Sequence, residues 1–117
     1  MLRAIALCAL LLSLPATASA TTDGDSANAN MRGCRAYVAS DDVKNWPYSQ
    51  GYCSGHIAGI TALISGVCAP AGVTHGQTVR TVTAYIEARP SRHHENFTAL
   101  VIEALKSTWP CRRGAVQ

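Results

Sequence analysis

The four cysteines that follow an N-terminal export signal constrain this chain more than any other feature. Cys34, Cys53, Cys68 and Cys111 are separated by 18, 14 and 42 residues. An even number of cysteines in an exported chain predicts a disulfide framework, here of two bridges. The alternative is a four-cysteine zinc site, but such sites usually contain paired C-x-x-C spacings, and this sequence has none. The sequence therefore predicts a small domain stapled by two disulfides.

The first twenty residues predict a cleavable signal peptide. Arg3 provides the positive charge, residues 5–14 form the apolar stretch that includes Cys8, and residues 18–20 form a small-x-small cleavage site. A short membrane anchor or a core helix is the alternative. The apolar stretch is shorter than the roughly 20 residues that span a bilayer, and the polar, turn-rich sequence after it does not suit a core helix. We expect a periplasmic protein with no membrane span.

The mature chain is short enough to form one domain. Residues 21 onward comprise about 97 residues, which we divide into a flexible leader at 21–30 and a helical domain at 31–117. Removing Arg3 from the ten Lys and Arg leaves nine, against seven Asp and Glu. The charge is thus nearly balanced, with no basic cluster and few aromatic residues, so nucleic acid is not an expected partner.

Apolar residues recur at helical spacing in four segments, which predicts an all-α fold. The first covers residues 31–38, the second 50–67, the third ends before Pro90, and the fourth covers 96–108. The second segment is almost free of charge, so we expect it to be the buried centre of the domain. Its glycines recur at every fourth position (Gly51, Gly55 and Gly59) and predict a ridge where a neighbouring helix packs closely; a flexible turn is the alternative.

Two helix starts have local signatures. Thr74 and Gln77 have the spacing of a capping box at the start of the third helix. Asn96 belongs to an Asn-x-Thr glycosylation pattern, but we expect it to be the N-cap of the fourth helix. The apolar stripes behind these starts are Val79, Val82, Tyr85 and Ile86 in the third helix, and Phe97, Leu100, Val101, Ala104 and Leu105 in the fourth.

From residue 52 to residue 111 the chain resembles the Rap/Tai family of immunity proteins. The segments that carry the resemblance are Tyr52–Gly59 (YCSGHIAG), Cys68-Ala69-Pro70, Gly72–Gln77 (GVTHGQ), Val82, Tyr85-Ile86, Pro90, His94, Leu100-Val101, Ala104-Leu105 and Pro110-Cys111. Their order and spacing over about sixty residues are more specific than any one of them. The chain departs from the family pattern at His56, where a Tyr is usual, at Thr61-Ala62, where an acidic residue often stands, and at Arg89, where a His is usual.

This resemblance implies a fold and a function. The implied fold is a compact four-helix, HdeA-like bundle, stapled here by disulfides. The implied function is periplasmic protection against a peptidoglycan amidase effector delivered by type VI secretion. Most of the shared residues are cysteines, glycines, prolines and caps, so the resemblance supports the fold more strongly than the function.

No catalytic or metal-binding constellation emerges from the sequence, so we expect neither an enzyme nor a cofactor. His93-His94-Glu95 could act as metal ligands only in a loop, and a solvated turn between helices is the preferred interpretation. His56 is expected near the core with one hydrogen-bond partner, and His75 in the first turn of the third helix as a neutral imidazole.

We expect recognition of the partner by loops 41–50 and 87–96 of a rigid scaffold. The candidate partner-binding residues are Trp46, Tyr48, Arg92, His93 and His94. The leading hypothesis is an immunity protein that occludes an amidase effector, and a homodimer is possible. The alternatives are an HdeA-like acid-stress chaperone, for which seven acidic residues are few, a general periplasmic binding protein and, least favoured, a hydrolase.

Helix geometry selects one disulfide pairing. Cys53 and Cys68 bracket the second helix and would lie about 22 Å apart, beyond the roughly 7 Å between Cα atoms that a bridge allows. In an up-down bundle the fourth helix returns Cys111 to the side of Cys68, which leaves Cys34 beside Cys53. We therefore predict the bridges Cys34–Cys53 and Cys68–Cys111, each contributing about 3–4 kcal/mol by loop-closure entropy.

Overall fold

The computed structural model describes residues 23–39 and 47–112. The predicted signal peptide at residues 1–20 lies outside the described residues. Four α-helices account for most of the described chain, and two short 3-10 turns precede the first and the last of them. The elements are Asp23–Asp25 (3-10), α1 Ala27–Ala39, α2 Pro47–Leu63, α3 His75–Glu87, Pro90–Arg92 (3-10) and α4 Phe97–Thr108. The all-α, four-helix prediction is confirmed.

The core is formed where α1, α3 and α4 meet one side of α2. α1 packs most extensively against α2, and α3 packs against both α1 and α4. The predicted stripe of α4 is fully buried, as is most of that of α3, because each helix turns one apolar face inward and its polar residues outward. The largest fully buried side chains are Phe97, Met31, Ile57, Ile86, Leu100 and Leu105.

Both predicted helix caps are present. The Thr74 hydroxyl accepts from the backbone N–H of Gln77, and the Gln77 side-chain carbonyl accepts from the backbone N–H of Thr74. At α4 the side chain of Asn96 accepts from the backbone N–H of Ala99 at 3.0 Å. These bonds satisfy donors that the first turn of a helix otherwise leaves without partners, so both helices start where the sequence predicts.

Both disulfides form in the predicted pairing. Cys34 of α1 is bonded to Cys53 of α2 with a Cα–Cα distance of 5.3 Å. Cys68 is bonded to Cys111 with a Cα–Cα distance of 4.8 Å. Beside this second bridge the backbone N–H of Cys68 donates to the carbonyl of Trp109 at 2.8 Å, which ties the segment after α2 to the end of α4.

The predicted leader boundary is wrong, because the N-terminal part of α1 is ordered against the rest of the domain. α1 begins at Ala27 rather than near Met31, and the Ser26 hydroxyl accepts from the backbone N–H of Ala29 as an N-cap does. The backbone N–H of Ala27 donates to the carbonyl of Glu95 at 2.9 Å. These bonds hold residues 23–30 on the turn that precedes α4.

The second helix differs from its prediction in extent and in burial. α2 ends at Leu63, and Val67 lies beyond it in a bridge to Pro110. Only Gln50, Cys53 and Ile57 of α2 are buried. The helix therefore lies at the side of the domain and not at its centre.

Among the described residues no helix packs against the glycine ridge of α2. A Cβ atom added at Gly51, Gly55 or Gly59 would meet no atom within 4 Å. The close approach of two helices occurs instead at Gly33 of α1, where an added Cβ would overlap the backbone carbonyl of Ser49 in the first turn of α2. The charge-free composition and the glycine spacing of α2 are therefore features of its exposed side and not of a buried helix contact.

Alanine at Gly51 is expected to stabilise the domain. Gly51 lies inside α2, is exposed and has open space around it, so an added methyl group causes no clash. Alanine lowers the backbone entropy of the unfolded chain, and the free energy of unfolding should rise by about 0.5–1 kcal/mol. Urea denaturation followed by circular dichroism measures the change. A decrease would mean that the ridge contacts a part of the domain that α2 is not seen to touch.

Candidate functional site

The exposed side of α2 carries apolar and aromatic residues where a surface helix normally carries charges. The helix contains no Asp, Glu, Lys or Arg over its 17 residues. Tyr48 is 81% exposed and Leu63 is 89% exposed, which places a large hydrophobic residue near each end of the helix. Exposed apolar patches of this kind mark interaction sites in soluble proteins.

Aromatic rings form a ladder along the N-terminal half of this side. The rings of Tyr48 and Tyr52 stack with centroids 6.4 Å apart, and Tyr52 stacks on His56 at 5.3 Å. His56 in turn stacks on Phe97 of α4 at 5.3 Å. Because Phe97 is fixed in the core, the ladder connects exposed rings to a rigid base. Rigid tyrosines lose little conformational entropy on binding, which suits them for protein contacts.

An apolar groove of about 510 Å³ continues from the ladder along the C-terminal half of α2. Two of the three ridge glycines form part of its lining, so helix backbone is directly accessible there. The lining residues are Gly55, His56, Gly59, Ile60, Leu63, Ile64 and, from α4, Ile102. We call the ladder residues Tyr48, Tyr52 and His56 together with this groove the α2 surface. It extends about 22 Å along the helix from Tyr48 to Leu63.

A second, smaller cleft adjoins the α2 surface at its N-terminal end. It has a volume of about 250 Å³ and lies between the start of α1 and the start of α2. Its lining residues are Gly24, Ala29, Asn30, Tyr48, Ser49 and Tyr52. Asn30 is held there by hydrogen bonds from its side-chain amide to the carbonyls of Gly24 and Ser26. This cleft offers polar backbone and amide groups next to the exposed tyrosines.

His56 occupies the junction between the ladder and the groove. Its ring is half-buried, and Nε2 lies 2.8 Å from the hydroxyl of Thr98 on α4. Burial lowers the pKa of His56 below its ordinary value of 6.5, because a charged imidazolium loses hydration there. The predicted near-core histidine with one hydrogen-bond partner is confirmed.

Two of the three predicted contact residues in the 87–96 loop, Arg92 and His93, have hydrogen-bond partners inside the domain. Arg92 contacts the carboxylates of both Glu95 and Glu103, with its Nη2 2.8 Å from an oxygen of each. Nε2 of His93 lies 2.9 Å from the carbonyl of Ile86, while His94 is exposed. Trp46 lies outside the described residues. Tyr48 lies on the α2 surface, and a partner-binding role for all five residues stays a prediction.

The Arg92 cluster has perturbed acid–base equilibria. Hydrogen bonds from Arg92 and from the Tyr85 hydroxyl lower the pKa of Glu103 to about 2. A hydrogen bond from Arg92 also lowers the pKa of Glu95, and the hydrogen bonds to Glu103 and then to Glu95 raise the pKa of Arg92 itself. The bidentate geometry of these bonds makes the cluster a brace between the turn and α4.

Replacing Glu103 by glutamine should change how stability depends on pH. At pH 7 we expect Glu103→Gln to lower the free energy of unfolding by about 1 kcal/mol, at the upper end for exposed ion pairs. Because the folded pKa of Glu103 lies below the unfolded value, its contribution is complete above about pH 4.5 and is lost as pH falls through 2. Urea denaturation at pH 7, 4.5 and 2.5 should show the difference between wild type and variant shrinking with acidity. A constant difference would contradict the assignment.

Few side chains in the described residues are arranged as catalytic or metal-binding groups. Ser54 and His75 form one hydroxyl–imidazole pair, with 2.8 Å between Oγ and Nε2, and Thr98 and His56 form another at the same distance. Within residues 23–39 and 47–112 no carboxylate is hydrogen-bonded to His75 to orient it, and no three His, Cys, Asp or Glu side chains lie close enough to hold a metal ion. In the same residues no helix has the length and apolar character needed to cross a membrane.

Comparison with known proteins identifies the family. The model of the Rap1a immunity proteins matches residues 4–111, which is most of the chain. No curated protein and no solved structure matches the chain significantly. The two disulfides and the family both fit an extracytoplasmic location. The chain belongs to the Rap1a family of immunity proteins, which act by inhibiting a secreted effector and not by catalysis.

Proposed function

We propose that this protein is a periplasmic immunity protein that binds a peptidoglycan amidase effector of type VI secretion and occludes its active site. The family supports inhibition of a secreted effector. The resemblance over residues 52–111 supports an amidase as that effector, and the signal-like residues 1–20 together with the disulfides support the periplasm.

The observation that carries the proposal is the uncharged, exposed α2 surface. Centres of protein interfaces are poor in charged residues and rich in aromatic ones, and they exclude water from a rigid patch. α2 is free of charged residues and carries exposed aromatic ones, and the Cys34–Cys53 bridge anchors it to α1. Burying this surface against an effector would bring apolar groups such as Leu63 and Ile60 out of water at about 25 cal/mol per Å².

Inhibition by this surface would be steric. The bundle presents α2 as a preformed edge about 22 Å long between Tyr48 and Leu63. Such an edge covers a substrate cleft without any group that reacts with the enzyme. The segment between α3 and α4 would add contacts, and the Arg92 cluster holds it in shape. The predicted 41–50 loop is part of α2 from Pro47 onward, and residues 41–46 lie outside the described residues.

The test mixes the purified mature chain with the amidase effector encoded beside its gene. We expect a stable complex on size-exclusion chromatography and a loss of peptidoglycan hydrolysis that is complete at one immunity protein per effector. An unrelated amidase serves as the control and should keep its activity. A chain that neither binds nor inhibits the effector would refute the proposal.

An acid-stress chaperone is the second candidate, because its mechanism also uses exposed apolar surface. Such a chaperone unmasks that surface on acidification. Here the α2 surface is already exposed, and the low pKa of Glu103 keeps its ion pair with Arg92 until about pH 2. Binding of the dye ANS and suppression of aggregation at pH 3 distinguish the two. A chaperone gains both on acidification, whereas an immunity protein does not.

A further inference from the structure

We propose that His56 couples effector binding at the α2 surface to the loss of a proton, so that the complex is tight at neutral pH and weakens in acid. This inference rests on the proposed function and adds to it a regulation of the same site. It identifies His56 as the residue of that surface that sets the pH range of binding.

The position of His56 is the first argument. The imidazole is stacked between Tyr52 and Phe97, each with ring centroids 5.3 Å from it, and it lines the apolar groove. Its Nε2 is engaged with Thr98 at 2.8 Å. A partner lying on the α2 surface would cover the part of the ring that is still exposed. The ring contacts with Tyr52 and Phe97 and the hydrogen bond to Thr98 restrict movement of the imidazole away from the partner.

The charges around His56 are the second argument. Burial is the cause of the lowered pKa of His56, and within residues 23–39 and 47–112 its ring is hydrogen-bonded to a hydroxyl and not to a carboxylate. α2 itself carries no Asp, Glu, Lys or Arg, and its other titratable side chains are Tyr48 and Tyr52. The ionisable side chains of the helices packed against α2 are Arg32, Arg35 and Tyr37 on α1, His75, Arg80, Tyr85 and Glu87 on α3, and Glu103 and Lys106 on α4. Glu87 is paired with Arg35, and Glu103 with Arg92.

The sign of the effect follows from desolvation. Covering the ring removes more water from it, and the neutral form is then favoured more strongly in the complex than in the free protein. The complex therefore binds fewer protons than the separated partners. Its affinity is complete above the pKa of free His56 and falls as pH drops below that value. Each additional unit by which binding lowers this pKa corresponds to a tenfold change in Kd at the acid limit.

The test measures the Kd of the effector encoded beside the gene at pH 7.5 and pH 5.0. For the wild-type chain we expect a Kd roughly five- to tenfold higher at pH 5.0. For His56→Gln, which keeps a hydrogen-bonding amide near Thr98, and for His56→Tyr, which keeps an aromatic ring in the stack, the Kd should change by less than about twofold between the two pH values. The matched control is His75→Gln, which removes an exposed histidine on α3, outside the α2 surface and the candidate contact residues, and should keep the wild-type ratio.

Calorimetry in two buffers of different ionisation enthalpy gives a second readout that needs no variant. At pH 6.0 the wild-type chain should release protons on binding, and the His56 variants should release fewer. Equal pH dependence in wild type and His56 variants, or no difference in proton release, overturns this inference and leaves the proposed function standing. Absence of binding at pH 7.5 overturns both.

Discussion

Gly33→Ala should unfold or severely destabilise the domain, although alanine is the better helix former. An added Cβ at position 33 would overlap the carbonyl oxygen and carbon of Ser49, which are backbone atoms that cannot rotate away. The Cys34–Cys53 bridge, one residue along α1, holds the two helices at this separation. We expect the free energy of unfolding to fall by about 3 kcal/mol or more, beyond the roughly 1 kcal/mol that alanine gains in helix propensity.

Urea denaturation measures this loss, and Gly51→Ala is the matched control. Both substitutions add one methyl group to a helix, but position 51 faces open space. We expect opposite signs, with Gly51→Ala stabilising. Mass spectrometry without reduction should show that both variants keep their disulfides. An unchanged free energy of unfolding in Gly33→Ala would show that α1 does not approach α2 this closely at position 33.

Leu63→Glu should abolish tight effector binding without harming the fold. Leu63 is 89% exposed and lies in the lining of the apolar groove, so the substitution removes nothing from the core. A carboxylate placed in an apolar groove that the effector covers loses its hydration without a partner. We expect a Kd at least about 100-fold higher, equivalent to roughly 2.7 kcal/mol, with the free energy of unfolding changed by less than about 0.5 kcal/mol.

The control for Leu63→Glu is Ala84→Glu, which adds the same charge to an exposed position of α3. Its Kd should stay within about twofold of wild type. Binding is measured by titration calorimetry with the effector, and light scattering of the free chain records any change of oligomeric state. Unchanged affinity in Leu63→Glu would remove the groove from the interface.

Features that depend on a few neighbouring residues were predictable from the sequence. The capping box of Thr74 and Gln77 and the N-cap of Asn96 close within three residues, so no tertiary contact is needed to form them. The disulfide pairing was predictable for a related reason, because the length of α2 keeps Cys53 away from Cys68. The apolar stripe of α4 followed from its period alone.

The role of α2 could not be deduced in the same way. An apolar, charge-free helix has the same composition whether it lies in a core or at an interface, since both environments exclude water. The sequence predicted a helix in the core, whereas the structure shows a helix with one buried stripe and an open opposite side. Glycine is ambiguous for the same reason: Gly33 permits a close helix contact, whereas Gly55 and Gly59 expose backbone in a groove. Only the positions of neighbouring helices separate these cases.

The central claim, that the α2 surface is where the effector binds, is tested most directly by amide hydrogen exchange of the immunity protein with and without its effector. The account predicts slower exchange on binding for peptides that cover residues 48–64 and for the part of α4 around Ile102. Peptides that cover α3 around Ala84 should exchange at the same rate in the free protein and in the complex. An inhibitory complex that protects α3 or the C-terminal segment and leaves α2 unchanged would contradict it.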